Sequence, residues 1–195
     1  MNILRNILAV VGVVSIVVLI YAAIKIQPVM HALEVMDPAA RTVYTNLFKR
    51  IITTESGVDA MVYKVPVQKG LTPADVDESI RYIANELNIK NVGELPLSKE
   101  IESLSGSKYR FVKIYLMCNA MTAASMMNYN DAFSSFLPCR ITLLEDKTGQ
   151  LWLYTLDMGV MIYGGKPLPP ALKEEALKVQ KIITSIMNRA AVGDF

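Results

Sequence analysis

Apolar positions follow three different patterns along this chain, and each pattern predicts a different kind of structure. The first is an unbroken apolar run, Ile7–Ile24, in which only Ser15 and Tyr21 carry polar side-chain groups. A helix of that length spans about 27 Å, close to the thickness of a bilayer's hydrocarbon core. The run therefore predicts a transmembrane anchor over residues 1–26.

The main alternative for this run is a cleaved secretory signal. Such a signal has a shorter apolar core of about 7 to 15 residues, followed by small residues at the cleavage site. The run in this chain is longer, and the residues from Tyr21 to Lys25 contain no clear Ala-x-Ala pattern. We therefore expect an uncleaved, single-pass anchor in contact with the lipid bilayer.

Flanking charge gives little guidance on the orientation of this anchor. Arg5 and the terminal amine precede the run, while Lys25 and Arg41 follow it, so the rule that positive charge stays inside is nearly balanced. A very short amino-terminal tail before a first span resembles a signal anchor, which leaves the tail in the cytoplasm. We expect an inner-membrane protein whose main domain is periplasmic.

The second pattern is a helical stripe, which predicts a connector over residues 27–57. Asp37 followed by Pro38 predicts that a helix restarts there and runs to about Ile52. Two interpretations stay open: the stripe packs on the protein's own domain, or it forms a heptad seam that pairs anchors or contacts a neighbouring membrane subunit. The apolar residues of the stripe, spaced by four and three, are Val29, Leu33, Met36, Ala40, Val43 and Leu47.

The third pattern, in residues 58–195, is a series of strand-like and helix-like segments. This order predicts an α+β fold, a two-layer sandwich of one sheet and one helical layer. The predicted strands are Ala60–Val67, Ile89–Leu97, Arg110–Met117, Arg140–Glu145 and Gln150–Leu156, the last two joined by a hairpin turn at residues 146–149. The predicted helices are one from Pro73 to Asn88, a short one at Ser98–Leu104, a crossover helix at Ala120–Phe136, and a long terminal helix that begins at Pro167–Pro170.

Charge and histidine content narrow the function classes. Lys and Arg total 20 and Asp and Glu total 18, so the net charge of +2 gives no reason to expect a nucleic-acid partner. The single histidine, His31, lies in the connector, which excludes a Ser-His-Asp or Cys-His arrangement within the domain. We expect no cofactor, and the absence of a complete catalytic set favours a protein that is not an enzyme.

Two cysteine segments are the strongest candidates for a functional site. Cys118 and Asn119 lie where a predicted strand ends and a helix begins, so backbone N–H groups could lower the pKa of an accessible thiol. The alternative is a small buried hydrophobic residue, since free cysteine is among the most buried residue types. Cys139 and Arg140 begin the next strand, and Arg140 either presents a cation to a cleft or pairs with a surface carboxylate.

A weaker hypothesis concerns copper. Soft thioether and thiolate ligands select Cu(I), and Met117, Cys118 and Met121 are close in sequence. The alternative is that most of the methionines fill gaps in the core, because their flexible side chains pack irregular spaces well. No other metal is expected.

The two cysteine segments also resemble a known family. Leu137-Pro138-Cys139-Arg140 follows Cys118-Asn119 at the expected distance and precedes an acidic hairpin, as in the bacterial domain-of-unknown-function 302 family. The resemblance covers about residues 59 to 187. The chain departs from the family at Ala120, where proline is common.

The resemblance implies a small two-layer fold in which helices back a mainly antiparallel sheet, similar to the arrangement in TATA-binding protein and often dimeric. It implies no activity. Gly164–Pro170 and Gly193-Asp194-Phe195 resemble a membrane-anchored subgroup from sulfur- or methane-oxidising bacteria. We therefore expect a binding or accessory domain that contacts a second copy or a respiratory or oxidising membrane enzyme complex. The alternative is a periplasmic thiol, redox or Cu(I)-handling protein that uses Cys118 and Cys139.

Overall fold

The domain is built on a five-stranded sheet in the order β1-β5-β4-β3-β2, and every neighbouring pair is antiparallel. The computed structural model describes residues 2–194, with side chains from residue 5 onward. Met1 and Phe195, the ends of the first and last predicted ranges, lie outside the described residues. The strands are β1 (Val62–Pro66), β2 (Lys90–Leu95), β3 (Val112–Cys118), β4 (Cys139–Glu145) and β5 (Leu151–Leu156).

Eight α-helices and one 3₁₀ helix complete the described part of the chain. The α-helices are α1 (Asn2–Glu34), α2 (Ala40–Thr54), α3 (Gly57–Ala60), α4 (Pro73–Glu86), α5 (Leu97–Ser105), α6 (Ala120–Tyr129), α7 (Gly159–Tyr163) and α8 (Pro170–Ala190), and the 3₁₀ helix is Asp131–Phe136. The predicted α+β fold with a helical connector is confirmed. The likeness to TATA-binding protein and the domain boundaries at residues 26 and 57 stay predictions.

One face of the sheet forms the core against α4 and α8. Side chains alternate between the two faces of a strand, so Tyr115, Ile141 and Leu153 point to the same side, and all three are fully buried. They pack with Ile80 of α4 and Ile183 of α8 in one cluster. This burial defines the inner face of the sheet.

The opposite side of the sheet, here called the open face, stays outside that cluster. Val112 at its margin is buried, but the other side chains named here are partly exposed, and none of them belongs to the core formed by the described residues. The open face consists of Ile114, Leu116, Thr142, Leu144, Trp152 and Tyr154. A two-layer fold thus leaves an apolar and aromatic sheet surface in contact with solvent.

Local sequence signals account for several element ends. Thr72 and Asp75 form a reciprocal capping box at the start of α4, with Pro73 at the first helical position. Asn88 has φ 54° just after the end of that helix, and Gly149 has φ 85° in the β4–β5 hairpin turn. These left-handed conformations favour asparagine and glycine, so the predicted stops are confirmed.

The predicted crossover helix at Ala120–Phe136 is wrong in two respects. Helix α6 ends at Tyr129, because Asn130 adopts an extended backbone and its side chain accepts a hydrogen bond from the Ala132 N–H, which starts the 3₁₀ helix. The segment is also not a parallel crossover, since β3 and β4 are adjacent antiparallel strands. It is a long connection between two neighbouring antiparallel strands.

The connector is attached to the domain through Asp37, which is 3% exposed. Its N–H donates to the Gly165 carbonyl at 2.8 Å, Oδ1 accepts from the Ala39 N–H at 2.9 Å, and Oδ2 accepts from Lys173 Nζ at 2.5 Å. The bond from Lys173, aided by the one from Ala39, lowers the pKa of the Asp37 carboxyl. The predicted helix restart therefore also fixes the start of α2 to α8.

The apolar stripe of the connector divides at this point. Val29 and Leu33 on α1 are exposed, whereas Ala40 is buried and Val43 and Leu47 on α2 are half-buried against the domain. Packing on the protein's own domain is thus the outcome for α2. The seam interpretation applies only to the exposed part of the stripe on α1.

Substitution Asp37→Asn should loosen α2 from the domain, because it keeps an oxygen for the Ala39 N–H but removes the charge that pairs with Lys173. Amide protection of residues 40–54, measured by hydrogen exchange on the full chain in mild detergent, should fall by about tenfold. The wild-type contribution should be present at neutral pH and lost as pH falls through the depressed pKa of Asp37, below the ordinary value of 3.8.

The matched control for this experiment is Asp131→Asn, which changes an exposed carboxylate outside the connector. It should leave the protection of α2 unchanged. Equal protection of α2 in wild type and in the Asp37→Asn protein would show that the contact between Asp37 and Lys173 does not hold the connector.

Candidate functional site

The register of the sheet brings the two cysteine segments together. Cys118 is the last residue of β3, Cys139 is the first residue of β4, and Met117 is paired directly with Cys139. Because β3 and β4 run in opposite directions, the end of one strand meets the beginning of the other. The two cysteine segments, which α6 and the 3₁₀ helix separate in the sequence, therefore lie at the same end of the sheet.

Asn119 has a structural role at this end of the sheet. Its side-chain oxygen accepts hydrogen bonds from the N–H groups of Met121 at 3.1 Å and Thr122 at 3.2 Å, so it caps α6. Ala120 is the first helical position, a place that proline also tolerates. The departure from the family's usual proline therefore fits the same helix start.

Beside the two cysteines lies a small cavity of about 40 Å³, lined by residues of the sheet, α6, α7 and α8 and by Leu137. We call it the sulfur cavity because half of its twelve lining residues carry sulfur. These six residues are Met117, Cys118, Met126, Cys139, Met158 and Met161. The remaining lining is mostly aliphatic, so the cavity offers soft ligand atoms and few hard ones.

The structure supports only one of the two methionines that the sequence suggested as copper ligands. Met117 lines the sulfur cavity, but Met121 is 78% exposed and lies outside it. Sequence analysis missed Met158, at the start of α7, and Met161 within α7, both far along the chain. Nothing in the local sequence marks these two residues as neighbours of Cys118.

Burial sets the thiol chemistry of Cys139. Cys139 and Cys118 are both free cysteines. Burial, reinforced by the nearby Cys118, raises the pKa of the Cys139 thiol to about 11. A thiol with that pKa is protonated at neutral pH and is a weak nucleophile. Burial therefore disfavours a nucleophilic role for Cys139.

Arg140 borders a hollow of about 330 Å³ at the edge of the open face. Its neighbours there include Thr142, Tyr154 and Cys139. No carboxylate of the described chain lies within ion-pair distance of its guanidinium. Of the two roles considered for Arg140, the cation presented to a cleft is the one that this geometry favours.

A larger cleft, about 380 Å³, lies between α2, α7 and the 3₁₀ helix. We call it the connector cleft. Its lining is mainly apolar, and its charged residues are Arg50 and Asp157, which are joined by an ion pair of 2.6 Å. Sequence analysis missed this cleft because its walls come from four distant segments. In the described residues, no three His, Cys, Asp or Glu side chains converge as a metal-binding group.

Comparison with known proteins identifies the domain. The family described as "Domain of unknown function DUF302" matches residues 63–190. The crystal structure of an uncharacterised conserved DUF302 protein from Bacillus stearothermophilus shares the fold, with a TM-score of 0.53 and 20% sequence identity over 67% of this chain and 98% of that chain. No curated protein matches the sequence.

The matched region begins within β1 and ends with α8, so it takes in the sheet except Val62, together with α4, α6 and α8. It contains both cysteine segments and leaves out α1 and α2. The chain therefore belongs to the DUF302 family of domains of unknown function.

Proposed function

We propose that this chain is a single-span inner-membrane protein that holds its DUF302 domain at the periplasmic face as a binding or accessory module. The observation that carries the proposal is α1. The segment Arg5–Glu34 is long enough and apolar enough to cross a membrane, and none of its most apolar stretch is buried in the protein. An apolar helix with no protein partner needs a lipid environment.

The link between this helix and the domain supports the same role. Only residues 35–39 separate α1 from α2, and Asp37 within them is bonded to Gly165 and Lys173 of the domain. A long flexible linker would let the domain diffuse away from the bilayer. This short, bonded link instead keeps the domain beside the end of α1.

The open face is the surface on which we propose that a partner binds. Trp152 and Tyr154 lie side by side with ring centroids 6.4 Å apart, and Lys64 Nζ lies 5.5 Å from the Trp152 ring centroid. A partly exposed sheet face with aromatic residues and a bordering cation has the composition of a protein interface. The partner is a second copy of the chain or a respiratory or oxidising membrane enzyme complex.

Substitution Tyr154→Arg should weaken partner binding, because it places an additional charge on the open face, next to Trp152. Crosslinking in native membranes, followed by purification in mild detergent, should recover the wild-type chain as a dimer or with a membrane enzyme. The yield of that species should fall by about tenfold in the variant.

Tyr82→Arg is the matched control, because Tyr82 is an exposed tyrosine on α4, away from the open face. It should leave the crosslinked species unchanged. Circular dichroism of both variants tests that they fold. Recovery of the wild-type chain only as a lone monomer, both in membranes and in detergent, would reject the accessory role.

A second candidate function, Cu(I) handling, is favoured by the sulfur cavity. Two cysteines and four methionines are among the residues that line one small, mainly apolar space. Cu(I) prefers soft sulfur ligands and accepts low coordination numbers, so Cys118 and Cys139 with Met117 suit it better than they suit hard cations. The raised pKa of Cys139 does not prevent this role, because a coordinated metal displaces the thiol proton.

For this second function, competitive titration with a chromogenic Cu(I) chelator should show one bound ion per chain. Cys118→Ser or Cys139→Ser should weaken binding by about 100-fold and Met117→Leu by about tenfold. Affinity should rise with pH between about 6 and 9, because metal binding releases the thiol protons. The exposed Met121→Leu is the control and should bind as wild type does. No retained Cu(I), or equal effects of Met117→Leu and Met121→Leu, would reject the site.

A further inference from the structure

The connector cleft has the size and lining of a small-molecule site. Its volume of about 380 Å³ lies within the range of about 300 to 1,000 Å³ that is typical of ligand pockets. Helix α2 supplies Val43 and Leu47, and the domain supplies Phe133, Phe136 and Val160. Binding of an apolar molecule that displaces water from such a surface is favourable.

One wall of the cleft also holds unused hydrogen-bond donors. Arg50 Nη2 donates to Asp157 Oδ2, whereas Nη1 has no acceptor among the described residues. Nε has none either, but the protein itself shields it, so a molecule in the cleft does not reach it. Asp157 already balances the charge of Arg50. The two N–H groups of Nη1 therefore suit a carbonyl or carboxylate oxygen attached to an apolar molecule.

The outer face of α2 indicates where such a molecule comes from. Phe48 and Ile52, one turn apart on this face, are 64% and 63% exposed. Helix α2 thus has an apolar face toward the cleft and another away from the domain. It follows directly after α1, whose exposed apolar side chains continue as far as Leu33. A helix of this kind lies naturally at the surface of a bilayer.

A second space lies next to the connector cleft. Phe136, Leu156 and Met161 line both the connector cleft and the hollow beside Arg140. The two spaces therefore lie on either side of the same three residues. A flexible linear molecule fits such neighbouring spaces better than a compact one does.

We propose that the connector cleft binds one acyl chain of a membrane lipid, with the acyl carbonyl or carboxylate oxygen at Arg50. The inference rests on the proposed function, because it requires the domain to lie at the membrane face. The acyl chain packs between α2 and the 3₁₀ helix. Binding in this place couples the lipid to the segment that attaches the domain to its anchor.

The test uses the full chain in phospholipid nanodiscs that contain either a photoactivatable fatty acid or a phospholipid with the same photoactivatable acyl chain. After illumination, mass spectrometry locates the labelled peptides. We expect labels in residues 130–136 and 156–161 as well as in residues 5–34. Labelling by the free acid alone identifies the free acid as the source, and labelling by both probes identifies lipid acyl chains in general.

Two variants test the site: one fills the cleft, and the other removes the guanidinium of Arg50. Val160→Trp fills the cleft and should reduce domain labelling by about tenfold, while the control Val192→Trp, at an exposed valine outside the cleft, should not. Arg50→Met should reduce domain labelling, whereas the neighbouring exposed Lys49→Met should not. Labelling of residues 5–34 should be the same in all five proteins.

The location of the labels tests the acyl-chain site and the membrane anchor separately. Labels confined to residues 5–34, or domain labels that are unchanged by both Val160→Trp and Arg50→Met, would overturn the acyl-chain site and leave the membrane anchor intact. A chain that takes up no label in residues 5–34 would overturn the anchor, and the acyl-chain site with it.

Discussion

Burial of one side of the antiparallel sheet is the constraint on which the other features depend. Alternating side chains of β3, β4 and β5 pack against α4 and α8, and Tyr115, Ile141 and Leu153 are completely buried there. A slip of one residue in register would turn these side chains to the opposite face, so the register is strongly fixed. The same register pairs Met117 with Cys139 and leaves Trp152 and Tyr154 on the open face. The sulfur cavity and the proposed partner surface are thus two consequences of one packing arrangement.

The sequence predicted those features of the fold that depend on local interactions. Thr72, Asn88 and Gly149 act on residues within one turn of themselves, so their effects could be inferred from neighbouring positions. The break at Asn130 was missed because the apolar pattern continues past it. Helix α7 was missed because it is only five residues long. Element order and sheet content could be predicted, and the exact ends of the helices between β3 and β4 could not.

The candidate site was predictable only in part, for a similar reason. Two motifs marked Cys118 and Cys139 as candidate site residues, and the β3–β4 register brings their segments together. The rest of the sulfur cavity depends on Met158 and Met161, whose position is set by the turn after β5. The connector cleft depends on how α2 lies against the 3₁₀ helix. Contacts of this kind arise from tertiary packing and leave no periodic signal in the chain.

The central claim of this account is that α1 holds the domain on the outer side of the inner membrane, and the most direct measurement is the topology of the carboxyl terminus. An alkaline phosphatase fused after Phe195 is active only if it lies outside the cytoplasm. A green fluorescent protein fused at the same position fluoresces only if it stays in the cytoplasm, because it does not become fluorescent after export through the Sec pathway. The account predicts a membrane-bound, active phosphatase fusion and a dark fluorescent fusion. An inactive phosphatase with a bright fluorescent fusion, or a phosphatase fusion released as a soluble protein, would contradict it.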